Sequence, residues 1–341
     1  MRVLVTGHKG YIGSCLVPML LERDHEVVGY DSDLFEACTF TGSLADVPHI
    51  RKDVRDAQAE DVENFDAIIH LAGLSNDPMG DYRPHLTEEI NEKASIRLAE
   101  LAKAAGTKRF LFASSCSNYG AAGNDFLTET AEFNPVTPYG VSKVKVEQGL
   151  TKLADDSFSP VYIRASTAYG LTPRIRFDLV CNNLTAWAFT TGKVMLKSDG
   201  HPWRPIVHVE DICRAYIAGL EADRDLVHDK GFNVGLTTEN YQIREIAEIV
   251  HEVVPGCEVD FADDAGPDLR NYRVDCNHIA LTLRNFKPQW TCRRGIVQLY
   301  EAYKKVGLTL DEFEGEKFKR ISHIQQLIEE GKLDDSLRWI K

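Results

Sequence analysis

Residues 2–13 read RVLVTGHKGYIG, and they are the strongest indication of the fold in this sequence. The apolar run Arg2–Thr6 has the length and β-branched content of a buried strand. Gly7, Gly10 and Gly13 follow it, at the point where an apolar helical pattern begins. Glycines at this spacing allow a tight turn, a close approach of backbone to a pyrophosphate, and close packing of helix on strand. Because a helix N-terminus offers unpaired N–H groups to phosphates, the stretch predicts a dinucleotide-binding strand–turn–helix unit.

The first half of the chain repeats this alternation of strand and helix. The predicted strands are Arg2–Thr6, Glu26–Tyr30, Ala67–Leu71, Arg109–Ser114 and Val161–Arg164, and the predicted helices cover 11–23, 86–105 and 139–154. Uninterrupted apolar strands between helices are typical of a parallel sheet that is covered on both faces. We therefore predict an α/β fold with a Rossmann-type, doubly wound parallel sheet in residues 1–170, to which 206–235 return.

The pattern loosens after about residue 170, where Pro, Gly and Arg cluster. Further helices are predicted at 178–191, 210–222, 242–254 and 293–306. We predict that 171–205 and 236–310 form a smaller, mixed α/β substrate-binding lobe. Residues 311–341 are highly charged and are expected to form a helical, peripheral C-terminal extension.

Composition restricts the class of protein. The chain has 341 residues, of which 43% are hydrophobic and 27% charged, as in ordinary soluble globular proteins. Its net charge of -13 argues against nucleic acid or an anionic membrane as the main partner. Eight scattered cysteines without a C-x-x-C pair predict reduced thiols and no metal site. With no signal peptide or membrane span apparent, a cytoplasmic location is expected.

The second predicted strand is followed by an acidic residue. Asp31 stands eighteen residues after Gly13, and Ser32 and Asp33 add no positive charge. A carboxylate there accepts hydrogen bonds from ribose hydroxyls and repels a 2′-phosphate. The sequence therefore favours NAD over NADP.

Tyr139 and Lys143 are the candidate acid/base pair. On a helix, residues four apart lie on one face, with Cβ atoms about 5–6 Å apart. A free tyrosine titrates near pH ~10, but a lysine charge at roughly 4 Å contributes about 4 kcal/mol at an effective dielectric of ~20. That interaction would bring the phenol pKa close to neutrality, as a general base requires.

These residues, with further motifs, resemble the extended short-chain dehydrogenase/reductase family, and within it the UDP-galactose 4-epimerase-like nucleotide-sugar epimerases and dehydratases. The resemblance covers roughly residues 1–305. Thr6–Gly13 matches TGxxGxxG, 70–74 (HLAGL) matches HxAGL, 114–120 (SSCSNYG) matches SSxxxYG, and 138–143 (PYGVSK) matches PYxxSK.

The resemblance implies NAD as cofactor, a nucleotide-diphosphate sugar as substrate, and a homodimer formed by the helix after Asn91 and the Tyr139 helix. It assigns to the cofactor Gly7, Gly10, Tyr11, Ile12, Gly13, Asp31, Asp53, Val54, Leu71, Ala72, Gly73, Asn91, Tyr139 and Lys143. It also makes Ser115, Tyr139 and Lys143 catalytic. Tyr139 would take a proton from a sugar hydroxyl, and Ser115 would hydrogen-bond the same oxygen.

The resemblance implies a substrate site as well, with Arg204 on the diphosphate. The assigned residues are Ser75, Cys116, Ser117, Thr167, Asn183, Leu184, Arg204, Asp268 and Arg270. Two features depart from the family pattern near these positions. Pro205 replaces the usual aspartate after the arginine, and Ala265 replaces the arginine expected upstream of Asp268, for which Arg270 or Arg273 could substitute.

A further departure concerns the reaction. The 4,6-dehydratases carry Asp-Glu after the catalytic Ser/Thr, whereas this chain has Cys116 and Ser117. We interpret Cys116 as a small buried cysteine rather than as an acid/base group. An NAD-dependent epimerase is therefore the leading hypothesis. An NAD(P)-dependent ketosugar reductase or dehydrogenase, and a dehydratase of another type, are the alternatives. A non-catalytic dinucleotide sensor is disfavoured because both Tyr139 and Lys143 are present.

Overall fold

The computed structural model describes residues 1–75, 83–120, 125–266 and 271–340, and the protein is an α/β fold with a large parallel sheet. The strands are β1 (Arg2–Thr6), β2 (Glu26–Asp31), β3 (His49–Arg51), β4 (Ala67–His70), β5 (Arg109–Ser115), β6 (Phe126–Leu127), β7 (Ser159–Ala165), β8 (Thr167–Tyr169), β9 (Lys193–Ser198), β10 (Trp203–His208), β11 (Lys230–Val234), β12 (Asn240–Gln242), β13 (Glu258–Gly266) and β14 (Arg273–Val274). The predicted strands are confirmed, with shifts only at their ends.

The helices follow the predicted segments closely. They are α1 (Gly13–Leu21), α2 (Pro84–Thr87), α3 (Ala94–Ala104), α4 (Pro138–Leu153), α5 (Val180–Thr191), α6 (Val209–Glu221), α7 (Arg224–Val227), α8 (Ile243–Val253), α9 (Asn277–Thr282), α10 (Cys292–Val306), α11 (Leu310–Glu314) and α12 (Arg320–Glu329). The helix predicted at 86–105 is interrupted, because a π-helical segment, Glu88–Lys93, lies between α2 and α3.

The main sheet has seven parallel strands in the order β11-β7-β5-β4-β1-β2-β3. Strand β1 pairs with β2 on one side and with β4 on the other, so that Thr6 lies beside both Tyr30 and His70. The strand order reverses here, and ligands of open α/β sheets bind at such a point, beyond the carboxyl ends of the strands.

Both faces of this sheet are buried. Val3 and Val5 pack on one face with residues of α1 and α6, whereas Leu4 packs on the other face with residues of α3 and α4. Every residue of β4 is buried, as expected for a parallel strand covered on both sides. The sheet is therefore a rigid platform from whose edge the site residues project.

A second lobe is built on β12-β10-β8 and β13-β9. Helices α5, α8 and α10 surround its separate apolar core, to which Leu184, Ile246 and Leu299 contribute. Strand β11, in contrast, belongs to the main sheet, where it pairs in parallel with β7. Helix α6 packs on one face of the same sheet. Within the described residues, no helix is long and apolar enough to cross a membrane.

The C-terminal segment contains the helices α11 and α12 and packs against the rest of the chain. Phe313, Leu333 and Leu337 are each only 1% exposed, and Ile324 and Leu327 pack into the core on one face of the main sheet. The segment is charged because its outer face is solvated, while a few well-spaced apolar side chains suffice to bury its inner face.

Candidate active site

A cavity of about 740 Å³ lies between the carboxyl edge of the main sheet and the second lobe. This volume is within the usual range for ligand sites. Most of the sequence-predicted site residues line it: Gly7, Gly10, Tyr11, Ile12, Gly13, Asp31, Asp53, Val54, Leu71, Ala72, Gly73, Ser75, Ser115, Ser117, Tyr139, Lys143, Thr167, Asn183, Leu184 and Arg204. Residues far apart in the sequence thus line one cavity.

The glycine turn at one end of the cavity has no room for side chains at two of its positions. Gly7 has φ +70°, and a Cβ there would lie 2.8 Å from the Ala72 nitrogen. A Cβ on Gly13 would lie 2.3 Å from the Gly7 oxygen. Helix α1 begins directly after Ile12, with no side-chain cap. Its N-terminus therefore offers backbone donors and a positive dipole end to a phosphate group.

Asp31 lies at the end of β2 with its carboxylate held by backbone. Its two oxygens accept hydrogen bonds from the Lys9 N–H at 3.0 Å and the Asp33 N–H at 2.8 Å. The Lys9 ammonium is paired with Asp33 at 2.6 Å. Burial lowers the pKa of His8, which lies 3.9 Å from Asp31, so this ring adds no full charge at neutral pH. The Asp31 site thus disfavours a 2′-phosphate.

Asp53 and Val54 border the cavity next to this site. Two Arg55 nitrogens donate to the Asp53 carboxylate at 2.9 and 2.6 Å. Burial raises the pKa of Asp53, but the hydrogen bonds from Arg55 outweigh it and the net direction is downward. Asp53 is therefore ionised at neutral pH and its side chain is fixed by Arg55.

Tyr139 and Lys143 lie in the first two turns of α4. The Thr137 hydroxyl caps this helix by accepting from the Gly140 N–H at 3.2 Å, and Pro138 occupies its first position, so the helix starts just before Tyr139. The Lys143 ammonium lies 5.3 Å from the Tyr139 ring centroid. Burial lowers the pKa of Lys143 to about 8, so that it is mostly protonated at neutral pH.

Ser115 ends β5 on the same cavity wall. Its hydroxyl lies 3.0 Å from the Ser117 hydroxyl and 3.1 Å from the Ser117 N–H. The short 3₁₀ turn Cys116–Tyr119 follows and directs the chain away from the sheet. A hydroxyl held in this way can hydrogen-bond an oxygen that is also in contact with Tyr139.

A buried ion pair lies behind helix α4. Arg164 donates to the Glu147 carboxylate at 3.0 and 2.7 Å, and both side chains are less than a tenth exposed. Burial alone would lower the pKa of Arg164, but the hydrogen bonds and charge of Glu147 have the larger effect. The net pKa is therefore raised, and the guanidinium stays charged. Glu147 stands four residues after Lys143 and favours the protonated ammonium.

On the second lobe, Arg204 lines the cavity although only 4% of it is exposed. Its guanidinium donates to the Trp203 carbonyl at 2.8 Å and lies 6.0 Å from the Tyr272 ring centroid. The Asn183 side chain donates to the Phe177 carbonyl at 2.9 Å, which fixes the start of α5. This side of the cavity is therefore cationic and polar.

Two of the sequence-predicted site residues do not line the cavity. The Asn91 side chain is buried and bonds both the N–H and the carbonyl of Leu74, at 2.7 and 2.8 Å, so it holds the backbone after Gly73 in place. Cys116 is fully buried, and burial raises its thiol pKa to about 12. It packs as the small cysteine that the sequence suggested. Asp268 and Arg270 lie outside the described residues.

Sequence reasoning missed several lining residues. Arg176 contacts the Ser75 hydroxyl at 3.1 Å and pairs with Asp178 at 2.6 Å. Phe35, Arg320 and Leu337 also line the cavity. No motif surrounds these residues, and only the fold brings them to the site.

Comparisons with known proteins agree with this geometry. The sequence model of the NAD dependent epimerase/dehydratase family matches residues 3–235. The chain is 28% identical over 329 residues to UDP-glucose 4-epimerase of Bacillus subtilis (strain 168), covering 88% of this chain and 94% of that protein. It is 28% identical over 331 residues to UDP-glucuronic acid decarboxylase 1 of Arabidopsis thaliana, covering 92% and 72%.

Among solved structures, the chain is similar to MoeE5 in complex with UDP-glucuronic acid and NAD. The TM-score is 0.77 at 26% identity, and the match covers 89% of this chain and 99% of that one. The likeness extends over both lobes, because the covered part reaches far beyond the dinucleotide-binding half.

Proposed function

The chain belongs to the NAD-dependent epimerase/dehydratase family, and from this premise we propose that it is an NAD-dependent epimerase of nucleotide-diphosphate sugars. The observation on which the proposal rests is that Ser115, Tyr139 and Lys143 line the same cavity as the glycine turn and Arg204. An acid/base group, a dinucleotide cradle and a cation for a diphosphate thus face one enclosed volume.

The residues present fit NAD. A side chain at Gly7 would collide with the backbone of Ala72, and one at Gly13 with the backbone of Gly7, so these glycines keep the turn tight while the start of α1 supplies donors. Asp31 supplies acceptors for ribose hydroxyls. When bound, NAD+ supplies the hydride acceptor for a sugar carbon.

The chain's own groups manage the proton. Tyr139, as the phenolate, would take the proton of a sugar hydroxyl, so that this oxygen could become a carbonyl oxygen as its carbon is oxidised. The protonated Lys143 stabilises the phenolate, and Ser115 hydrogen-bonds the carbonyl oxygen. Tyr139 would return the proton to the same oxygen when the carbonyl is reduced again, and reduction on its opposite face would invert the carbon. No net oxidation results.

Two alternative outcomes of the same chemistry are less well supported. Dehydration across C5–C6 requires a further acid/base pair, and the positions after Ser115 offer only the buried Cys116 and the neutral Ser117. Net reduction of a ketosugar would require the cofactor to exchange in every turnover. Steady consumption of added NADH with a ketosugar would select that alternative.

The direct test uses UDP-glucose and UDP-galactose as probes, because UDP-glucose 4-epimerase is among the relatives. We expect Tyr139→Phe to lower the rate of interconversion by about 10²–10⁴-fold, the range for loss of a general acid/base group. NAD binding should change little. Full activity in this variant would contradict the proposal.

We also propose a homodimer in a reducing, cytoplasmic setting. The segment 84–104 and helix α4 lie side by side and are joined by a Lys145–Glu92 pair at 3.0 Å. Val141 on α4 is 37% exposed. All eight cysteines are free thiols. Sedimentation equilibrium that finds a monomer at micromolar concentration would refute the dimer.

A further inference from the structure

The C-terminal segment 310–340 returns to the dinucleotide-binding half of the protein, although it lies beyond the part that the family's sequence model matches. The Trp339 indole N–H donates to the Ser32 carbonyl at 2.6 Å. Arg338 pairs with Asp56, and the Arg51 guanidinium lies 5.4 Å from the Trp339 ring centroid. These contacts fix the end of the chain next to Asp31 and Asp53.

Leu337 is part of the cavity wall at this end. It packs in the same apolar cluster as Tyr30 and Val54 and lines the cavity with Ser32 and Leu34. Its backbone has φ +61°, a left-handed conformation that leucine rarely adopts. Such strain persists only where the surroundings impose it and is concentrated at ligand sites.

The turn around Asp334 imposes this conformation. The Asp334 carboxylate accepts from the N–H groups of Ser336 and Arg338, at 2.8 and 2.9 Å, and Leu333 bridges to Trp339. The turn is therefore built to present the Leu337 side chain inward rather than to leave it in solvent.

Arg320, at the start of α12, is a second C-terminal group on the wall. Its guanidinium lies 3.9 Å from the Phe35 ring centroid. Burial and the neighbouring charge of Arg176 lower its pKa to about 10, so it is charged at neutral pH. Among the described residues, no hydrogen bond or ion pair within 4 Å joins this guanidinium to another group. Its donors therefore remain for a bound anion.

We propose that the C-terminal segment forms one wall of the dinucleotide pocket, in which Leu337 packs against the adenosine end and Arg320 binds the phosphates. This role of the segment rests on the proposed function, which identifies the ligand as NAD. It also suits that function, because an enzyme that returns its hydride within one turnover must keep the reduced cofactor bound. A wall tied down at Ser32 and Asp56 would slow release of the dinucleotide.

The test measures ligand affinity by calorimetry, without substrate, for Arg320→Ala and Leu337→Asn. Asparagine tolerates the left-handed conformation but removes the apolar contact. Lys332→Ala is the matched control, because it removes an exposed charge from the same segment. Loss of a charge-assisted hydrogen bond should weaken ADP-ribose and NAD+ by about ten- to a hundredfold in Arg320→Ala. Leu337→Asn should also weaken ADP-ribose and NAD+, but it should bind nicotinamide mononucleotide, which has no adenosine, as the wild type does.

Hydrogen exchange in the wild-type protein gives a second readout that needs no variant. NAD+ should slow amide exchange in residues 333–340, whereas nicotinamide mononucleotide should not. NAD+ could bind the wild type without changing this exchange, and both variants could bind it with unchanged affinity. That result would refute the role of the C-terminal segment in the pocket but leave the proposed function standing. If the wild type binds no dinucleotide, both are refuted.

Discussion

The Lys143 ammonium lies 5.3 Å from the Tyr139 ring centroid, in a cavity that also contains the glycine turn. Lys143 is 5% exposed, and burial lowers its pKa to about 8. The protein thus keeps the Lys143 ammonium in a buried environment that disfavours its charge, close to the Tyr139 phenol whose ionised form it would stabilise.

We expect Lys143→Met to be more stable than the wild type and inactive. The lowered pKa corresponds to a penalty of up to about 3 kcal/mol for the buried charge. Since the pKa in the folded state is below the unfolded value of 10.5, the penalty is fully present below pH 8 and disappears as pH rises to about 10.5. Urea denaturation should give a larger free energy of unfolding for the variant than for the wild type at pH 7, and this difference should be smaller at pH 9.5. A variant less stable than the wild type at pH 7 would contradict this account.

Glu147→Gln should destabilise the fold. It leaves Arg164 charged and without its carboxylate in a buried site, and breaking such a pair typically costs about 3–5 kcal/mol. Glu252→Gln is a suitable control, because its pair with Arg293 is about half exposed. Denaturation curves that show equal effects for the two variants would argue against a structural role for the buried pair.

Asp31→Asn should shift cofactor preference toward NADP. The change removes the negative charge near the expected 2′ position but keeps an oxygen able to accept from one of the two backbone N–H groups. We expect the ratio of the NADP+ and NAD+ dissociation constants to fall by about tenfold or more, the size of one lost charge repulsion. An unchanged ratio would show that the preference is set elsewhere in the cavity.

The sequence was most informative where function depends on local geometry. The glycine turn and the Tyr139–Lys143 helix combine residues only a few positions apart, so local spacing indicated both, although the Tyr139–Lys143 spacing is common and gained its meaning from the surrounding motifs. Strands β1, β2, β4, β5 and β7 of the main sheet were predictable because they are apolar runs, whereas β3 and β11 were not predicted as strands. Arg204 was found only through the family resemblance, since a lone arginine has no local signature.

The remaining features depend on contacts between distant segments. Leu337 and Ser32 are some three hundred residues apart, and the charged composition of 311–341 concealed its few buried side chains. Asn91 was assigned to the cofactor, but its amide bonds Leu74 instead. Which side of a helix or loop faces a cavity is decided by packing, and spacing did not reveal it for these residues.

The most direct test of the central claim is to follow the hydrogen that is transferred. The wild-type protein is incubated in ordinary water with UDP-glucose deuterated at C4, and the product is examined by NMR while absorbance at 340 nm is recorded. Transient oxidation predicts UDP-galactose that retains deuterium at C4, with no net accumulation of NADH. Loss of the deuterium to solvent, or stoichiometric NADH formation, would contradict the proposed mechanism.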